Sequence, residues 1–309
     1  MSTVFVFPGQ GAQFVGMGKD IIEADGDAKA IFDRAKEITG IDMAQICLEG
    51  PEESLTDTLH AQLAVFLVSV AYCQALQKKG VQPDFMAGHS LGELSAYYIA
   101  GVLSLDDAIR LVQRRGELMQ AATQVHKGSM TAVLGLAVED IQAILENEAN
   151  GQVIVANDNC PGQVIISGEP ERLVALEESL KAAGAKRLIP LKVAGAFHSP
   201  QMNAASEAYA SEVEQYRFSD AKVPIVLNRT AAIESSAEAL KANLPAQIIS
   251  SVRWRETAEW LGAKSPRFIE CGPGAVISGL VKKTCKGASI HTINSVEALD
   301  ALDSVEVEG

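Results

Sequence analysis

Gly88-His89-Ser90-Leu91-Gly92 sets a serine midway between two glycines, where an apolar run (DFMAG, 84–88) gives way to a stretch of helical character (91–100). That junction restricts the fold more than any other part of the chain. A strand that turns directly into a helix through GxSxG bends too sharply for side chains two residues before or after the serine. The turn lifts the hydroxyl above the sheet and aims the first amides of the helix at it, where they can meet a developing oxyanion. Such a chain is expected to be α/β, with strands and helices alternating around a mainly parallel sheet.

The rest of the chain carries that alternation. Residues 3–7 (TVFVF) predict a short buried strand, stopped by Pro8 and Gly9-Gln10-Gly11. Helical periodicity runs over 17–39 and over 60–79, the latter closed by Gly80, and another helix opens at Asp106-Asp107 and continues to about Thr123. Between about 128 and 193 the rhythm changes. Strands at 129–136, 152–156, 163–167 and 186–193 alternate with helices at 138–148 and 171–183. That β-α-β-β-α-β order is ferredoxin-like. It predicts a small domain, 127–196, inserted in a discontinuous core of 1–126 and 197–290. A helix near 201–216, a strand at 223–228, helices within 237–262 and a strand at 267–270 complete the core. The acidic end, ALDALDSVEVEG, predicts a loose C-terminal tail over 291–309.

Composition narrows the function classes. A chain of 309 residues is long enough for about two domains. With 39 acidic and 26 basic side chains its net charge is −13, which opposes nucleic-acid binding because phosphates need a concentrated basic field. The five cysteines (47, 73, 160, 271, 285) show no paired spacing, so reduced thiols in a cytoplasmic protein are expected, with no disulfide framework or metal site. The N-terminus lacks a basic region followed by a long apolar stretch, so no signal peptide is expected. The apolar run around Leu63–Ala71 is too short to span a bilayer, so no membrane partner is expected.

A serine nucleophile needs a base, and histidine is the usual one. His89 adjoins Ser90 and is assigned to shaping the pocket, because direct neighbours in a tight turn point elsewhere. His60, His126 and His291 lie in no motif. His198, in Gly195-Ala196-Phe197-His198-Ser199, sits where the chain re-enters the core and is the expected base. No acid partner is identifiable, so a backbone carbonyl is the alternative holder of its tautomer. The loop Phe7-Pro8-Gly9-Gln10-Gly11 reads either as a phosphate cradle, without the Lys and Ser/Thr of a P-loop, or as an amide donor at a strand-end site. In the second reading the Gln10 and Leu91 amides form an oxyanion hole. At about 100° per residue, Arg115 falls about 20° from the centre of its helix's apolar face and Arg114 about 120° from it. A guanidinium among core positions must be paired. Periodicity alone favours an internal carboxylate over a substrate carboxylate as its partner, and leaves Arg114 solvated.

FPGQGAQ (7–13), GHSLGE (88–93), VQRRGELM (112–119) and GAFHS (195–199) together resemble the malonyl-CoA:acyl carrier protein transacylases, including free-standing acyltransferases of polyketide synthases. VANDNCPGQVIISG (155–168), AQIISSVRW (246–254) and ECGPG (270–274) resemble them too, so the likeness runs from about residue 3 to 285. It implies a hydrolase-like core with a ferredoxin-like insert, and a dyad of Ser90 and His198. It further implies that the Gln247 backbone carbonyl orients the histidine and that the Gln10 and Leu91 amides form the oxyanion hole. Arg115 would grip the malonyl carboxylate, which reverses the preference for an internal carboxylate, and Phe197 matches the pattern associated with malonyl over methylmalonyl. Ala12 and Cys160 stand where serine is common; neither removes a reacting group, though Cys160 is expected to alter the pocket rim.

The resemblance implies ping-pong transfer of malonyl from malonyl-CoA to the phosphopantetheine thiol of an acyl carrier protein, for fatty-acid or polyketide synthesis. No cofactor is expected, and a monomer is. The alternatives are a trans-acting acyl hydrolase of a polyketide assembly line, against which Arg115 counts, and a transacylase for a modified malonyl extender, which would keep it. A noncatalytic docking subunit is a third, disfavoured by the intact Ser90, His198 and Arg115. Because carrier proteins are acidic, Lys181, Lys186, Arg187 and Lys192, or Lys282, Lys283 and Lys286, are candidate docking patches.

Overall fold

A computed structural model describes residues 2–264 and 266–306. The first strand, β1 (Thr3–Phe7), explains the architecture by its pattern. All five of its side chains are buried, but on different faces: Phe5 and Phe7 enter one apolar cluster, Val4 and Val6 another. A strand covered on both sides reads as continuously apolar and belongs inside a parallel sheet flanked by helices. It pairs in parallel with β2 (Phe85–Gly88) on one side.

Residues 129–190 supply the next four strands: β3 (Ser129–Leu134), β4 (Val153–Cys160), β5 (Gln163–Gly168) and β6 (Arg187–Pro190). Then come β7 (Ile225–Val226), β8 (Ile233–Glu234), β9 (Arg267–Cys271) and β10 (Ser289–Ile293). The larger sheet runs β10-β9-β1-β2-β7-β8, parallel except for the β7–β8 edge pair. The smaller one runs β4-β5-β3-β6 and is antiparallel throughout. Its outer face packs Val133, Val155, Val164 and Ile166 against the helices Val138–Glu148, Pro170–Ala175 and Glu177–Ala182. Its inner face, with Met130, Ala132 and Ile165, joins the main core cluster.

Several elements differ from the expectation. The helix expected at 17–39 breaks at Asp25, whose carboxylate caps a new helix by accepting from the Asp27 and Ala28 amides. The helix at 171–183 divides at Leu176. Strand β4 extends four residues past the expected end at 156, to Cys160, through two register shifts, and its Asn157 bridges to Val252 of the core. Helices Met43–Glu49 and Glu52–Thr56 carry too short a pattern to be read from sequence.

The C-terminal tail expected over 291–309 is the largest correction. Residues 289–293 are β10, paired along its length with β9, so His291 lies in a strand. A helix, Val296–Glu306, follows, with Leu299 and Leu302 buried. The Asp20 carboxylate accepts from the Val296 amide at 2.6 Å. Acidic side chains dominate the composition, but two leucines at i, i+3 make one apolar stripe that suffices to dock the helix. Residues 307–309 lie outside the described residues.

The helix Thr58–Lys78 is, by length and composition, apolar enough to cross a membrane, which the short run read from sequence understated. It is 83% buried over its most apolar window and packs against the helices Gly92–Ile99 and Leu105–Val125. A helix hydrophobic on all sides here is the centre of a core.

Candidate active site

Ser90 stands at the end of β2 with φ of 51°, in the left-handed region that a non-glycine residue occupies only under constraint. The turn leaves no space around it. A Cβ on Gly88 would lie 1.9 Å from the Gly92 carbonyl carbon, and one on Gly92 would lie 2.3 Å from the Phe7 oxygen. Both glycines of the GxSxG pattern are therefore required by close approach. Asn228, just past β7, braces the turn: its Oδ1 accepts from the Ser90 amide and its Nδ2 donates to the Gly88 carbonyl, each at 2.7 Å.

The Ser90 hydroxyl lies 2.7 Å from His198 Nε2. The other ring nitrogen, Nδ1, faces the Gln247 and Ser250 carbonyls, both at 3.1 Å. Carbonyls only accept, so Nδ1 carries the proton and Nε2 is the free base facing the serine. Burial, then the neighbouring Arg115 charge, pushes His198 down to about 3, against a smaller opposing pull from the Gln247 carbonyl. The imidazole is neutral at physiological pH and ready to accept a proton.

Arg115 is 2% exposed. Its guanidinium donates to Gln62 Oε1 at 2.7 Å, Gln247 Oε1 at 3.0 Å and Ser90 Oγ at 3.1 Å. No carboxylate pairs with it among the described residues, so the internal salt bridge favoured by periodicity is absent; two amide oxygens hold it instead. Amides orient a cation without neutralising it, and burial lowers the Arg115 pKa. A buried guanidinium with no carboxylate in direct contact, set beside a serine hydroxyl, can receive one. Arg114, by contrast, is half-exposed and pairs with Glu117.

A cavity of about 230 Å³ opens beside these groups. Its apolar wall includes Met119, Met130, Ile165, Leu191 and Phe197, and Gln10 and His89 also line it. Leu91, next to Ser90 in the chain, is fully buried. Among the described residues, neither the Gln10 nor the Leu91 amide donates to a protein acceptor. His89 Nε2 lies 2.8 Å from Asn159 Oδ1, and its ring packs 5.6 Å from Trp254, which fixes it as part of the wall. Cys160, expected at the rim, is buried outside the cavity lining, and burial raises its thiol pKa. His60, on the helix Thr58–Lys78, bonds the Ser54 carbonyl at 2.9 Å and does not line the cavity. No cluster of three metal-ligating side chains occurs among the described residues.

Four polar residues of the site receive no role from the sequence: Gln62, Asn228, and Glu93 and Ser250, which lie in the GHSLGE and AQIISSVRW motifs. Glu93 is the least expected. An acid in the first turn of a helix usually faces solvent and complements the helix dipole, but Glu93 is fully buried. Its Oε2 accepts from Gln247 Nε2 at 2.6 Å and Asn243 Nδ2 at 3.0 Å, and its Oε1 accepts from the Asn228 amide. Burial pushes the carboxyl up to about 7, while these three donors and Arg115 pull it down. Asn228 lies at the C-terminal end of a core strand, where α/β sheets collect functional groups; that position was the one available clue.

The acyl transferase domain family matches residues 4–300 of the chain. The malonyl CoA-acyl carrier protein transacylase of Bacillus subtilis is 40% identical over 299 residues, covering 96% of this chain and 94% of its own. That of Staphylococcus aureus is 39% identical over 298 residues, 96% of each. Among solved structures, a malonyl-transacylase in complex with a type II polyketide synthase acyl-carrier protein superposes with a TM-score of 0.94 at 39% identity, covering 98% of this chain and 100% of that one. An acyl carrier protein S-malonyltransferase from Vibrio cholerae gives 0.94 at 37% identity, with the same coverage.

Proposed function

This chain belongs to the acyl transferase domain family, and from that premise we propose that Ser90, His198 and Arg115 carry its chemistry. The enzyme is an acyltransferase that moves a malonyl group from malonyl-CoA to acyl carrier protein. His198 Nε2 takes the Ser90 proton as Oγ attacks the thioester carbon. The tetrahedral oxyanion accepts hydrogen bonds from the Gln10 and Leu91 amides, worth on the order of 10²–10³ in rate per donor. Collapse breaks the C–S bond, and the departing CoA sulfur takes the proton back from His198, leaving malonyl-Ser90. The phosphopantetheine thiol then repeats the sequence in reverse, giving its proton to His198, taking the acyl group and restoring the serine.

The observation that carries this reading is Arg115: buried, held by Gln62 and Gln247, and donating to Ser90 Oγ at 3.1 Å. A malonyl ester on Ser90 carries its free carboxylate two bonds from the ester carbon, within reach of the same guanidinium. An acyl group without a carboxylate leaves a buried cation unpaired, at a cost of about 3–5 kcal/mol. Phe197, in the cavity wall, limits the space beside the malonyl α-carbon.

The organisation is read as a hydrolase-like core with a ferredoxin-like insert over 127–196, supported by the β4-β5-β3-β6 order and the β-α-β-β-α-β succession. We take the protein as a cytoplasmic monomer that needs no cofactor and binds neither nucleic acid nor membrane. The carrier protein docks on the basic side chains of the insert (Lys181, Lys186, Arg187, Lys192) or on Lys282, Lys283 and Lys286, all of them exposed. Lys181 is already paired with Glu177, which offsets one charge of the first patch, whereas Lys283 donates to the neutral Gln163 amide and keeps its charge. Reversing the charge of the patch that is used raises the carrier-protein KM; an unchanged KM removes that patch. Initial rates at varied malonyl-CoA and carrier protein test the transfer itself. Parallel double-reciprocal lines are expected for a ping-pong path, and intersecting lines would contradict it.

A further inference from the structure

We propose that Glu93 is a positioning residue for the malonyl carboxylate: its buried carboxylate fixes which way the Gln247 amide faces and so keeps an oxygen on the Arg115 guanidinium. The inference rests on the reading that Arg115 receives that carboxylate, and adds a residue that never touches substrate.

A glutamine side chain is symmetric in shape but not in chemistry, and only its partners decide which end is oxygen. Gln247 Oε1 accepts from Arg115 at 3.0 Å. Its Nε2 donates to the Ser90 carbonyl at 2.9 Å and to Glu93 Oε2 at 2.6 Å. Both acceptors on the nitrogen side are needed for the orientation, and Glu93 supplies the shorter bond, from an oxygen that also accepts from Asn243 Nδ2. The same residue contributes the backbone carbonyl that holds His198, so the Gln247 side chain and main chain serve substrate and base separately. Glu93 also accepts from the Asn228 amide, whose side chain braces the Ser90 turn. One carboxylate therefore sits behind both clamps of the site.

Replacement by glutamine exposes the logic. The Asn228 amide is main chain and cannot turn over, so the amide introduced by Glu93→Gln keeps its oxygen there and presents its NH₂ to Gln247 Nε2. Two donors then face each other. Gln247 then has no orientation that satisfies all its neighbours: unflipped, its NH₂ meets the new NH₂, and flipped, its oxygen meets the Ser90 carbonyl and its NH₂ meets Arg115, so one of the two amide oxygens that hold the guanidinium is displaced or loosened.

The test is loading of Glu93→Gln by malonyl-CoA and acetyl-CoA, followed by intact mass. The variant is expected to raise the malonyl-CoA KM about tenfold and to lower the malonyl-to-acetyl loading ratio by a similar factor. Its acetyl loading rate should stay within about twofold of the wild type. Asn243→Ala is the companion variant: it removes the other donor to Oε2, and is expected to lower Tm while leaving the ratio unchanged. A Glu93→Gln ratio within twofold of wild type, equal loss of malonyl and acetyl loading, or an Asn243→Ala ratio that falls as far, would overturn the proposal. If Glu93→Gln does not fold, Gln247→Ala, which removes the oxygen on Arg115 directly, decides it: a malonyl-to-acetyl ratio within twofold of wild type overturns the proposal. Wild-type enzyme that loads acetyl as readily as malonyl would instead overturn the Arg115 reading, and that control is measured first.

Discussion

On the core side of the cavity, Ser90, Asn228, Gln247, Glu93 and Arg115 are joined by hydrogen bonds of 2.6–3.1 Å, a continuous network around the nucleophile. The wall contributed by β3, β5 and the segment after β6 offers chiefly Met130, Ile165, Leu191 and Val193, which make contact without direction; Asn159 of β4, bonded to His89, is the polar exception, with Asn157 and Gln163 also in the lining. The two sides differ because their tasks differ. A reacting group must be held to a fraction of an ångström, and only directional bonds do that. A wall that shapes an acyl chain needs volume, and packing supplies it at lower specificity. The lesson is that substitutions in the hydrogen-bonded network should act on rate, and those of apolar side chains on the four-stranded sheet's side on stability and substrate size.

Four experiments press on that contrast. The largest effect belongs to Ser90→Ala, expected to lower malonyl transfer by a factor on the order of 10⁴–10⁶ with little change in Tm; residual activity above a hundredth of wild type would remove Ser90 from the mechanism. Asn228→Ala comes next. It leaves the Ser90 amide and the Gly88 carbonyl without their partners, at about 1–3 kcal/mol each, and by loosening the turn should lower the loading rate at least tenfold. Thermal unfolding and single-turnover loading read the two effects apart.

On the other wall, Met130→Ala should destabilise by about 2–5 kcal/mol yet change malonyl loading less than tenfold, while improving acceptance of α-branched malonyl thioesters. A large rate loss without destabilisation would abolish the contrast between the walls. The fourth effect is smallest in rate terms and concerns charge. His198 is held neutral well below the usual histidine range, so its ring resonances should not titrate between pH 5 and 8. The sign for stability follows. The unfolded chain binds a proton near pH 6.5 that the folded chain refuses until about 3, so the contribution is full above 6.5 and is lost as pH falls through that window, by up to about 1.4 kcal/mol per pH unit. An imidazole titrating near 6.5 would mean the site is wetter than its burial implies.

How much of this was legible in the sequence follows the same division. Ser90 and its glycines announce a turn that only one backbone geometry satisfies, and Arg115 announces itself by helical phase. His198, which shares the unusual positive φ of Ser90, was found by its motif and its place where the chain re-enters the core. The roles of Glu93, although it closes the GHSLGE motif, and of Gln62 are not legible: each is a common residue on a helix, and what makes it part of the site is a bond across 154 or 53 residues of chain. The C-terminal helix reads as a tail because its composition is acidic, although two leucines dock it. Local patterns predict local geometry; the partners of a buried polar group are set by tertiary packing.

The central claim is that Ser90 carries the acyl group while Arg115 selects it. Intact-protein mass spectrometry after brief exposure to malonyl-CoA or acetyl-CoA, with Arg115→Ala beside the wild type, tests both halves together. A malonyl adduct mapping to Ser90, scarce with acetyl-CoA and lost in the variant, is the predicted result. Equal acetyl and malonyl loading in the wild type, or an adduct on any other residue, would contradict it.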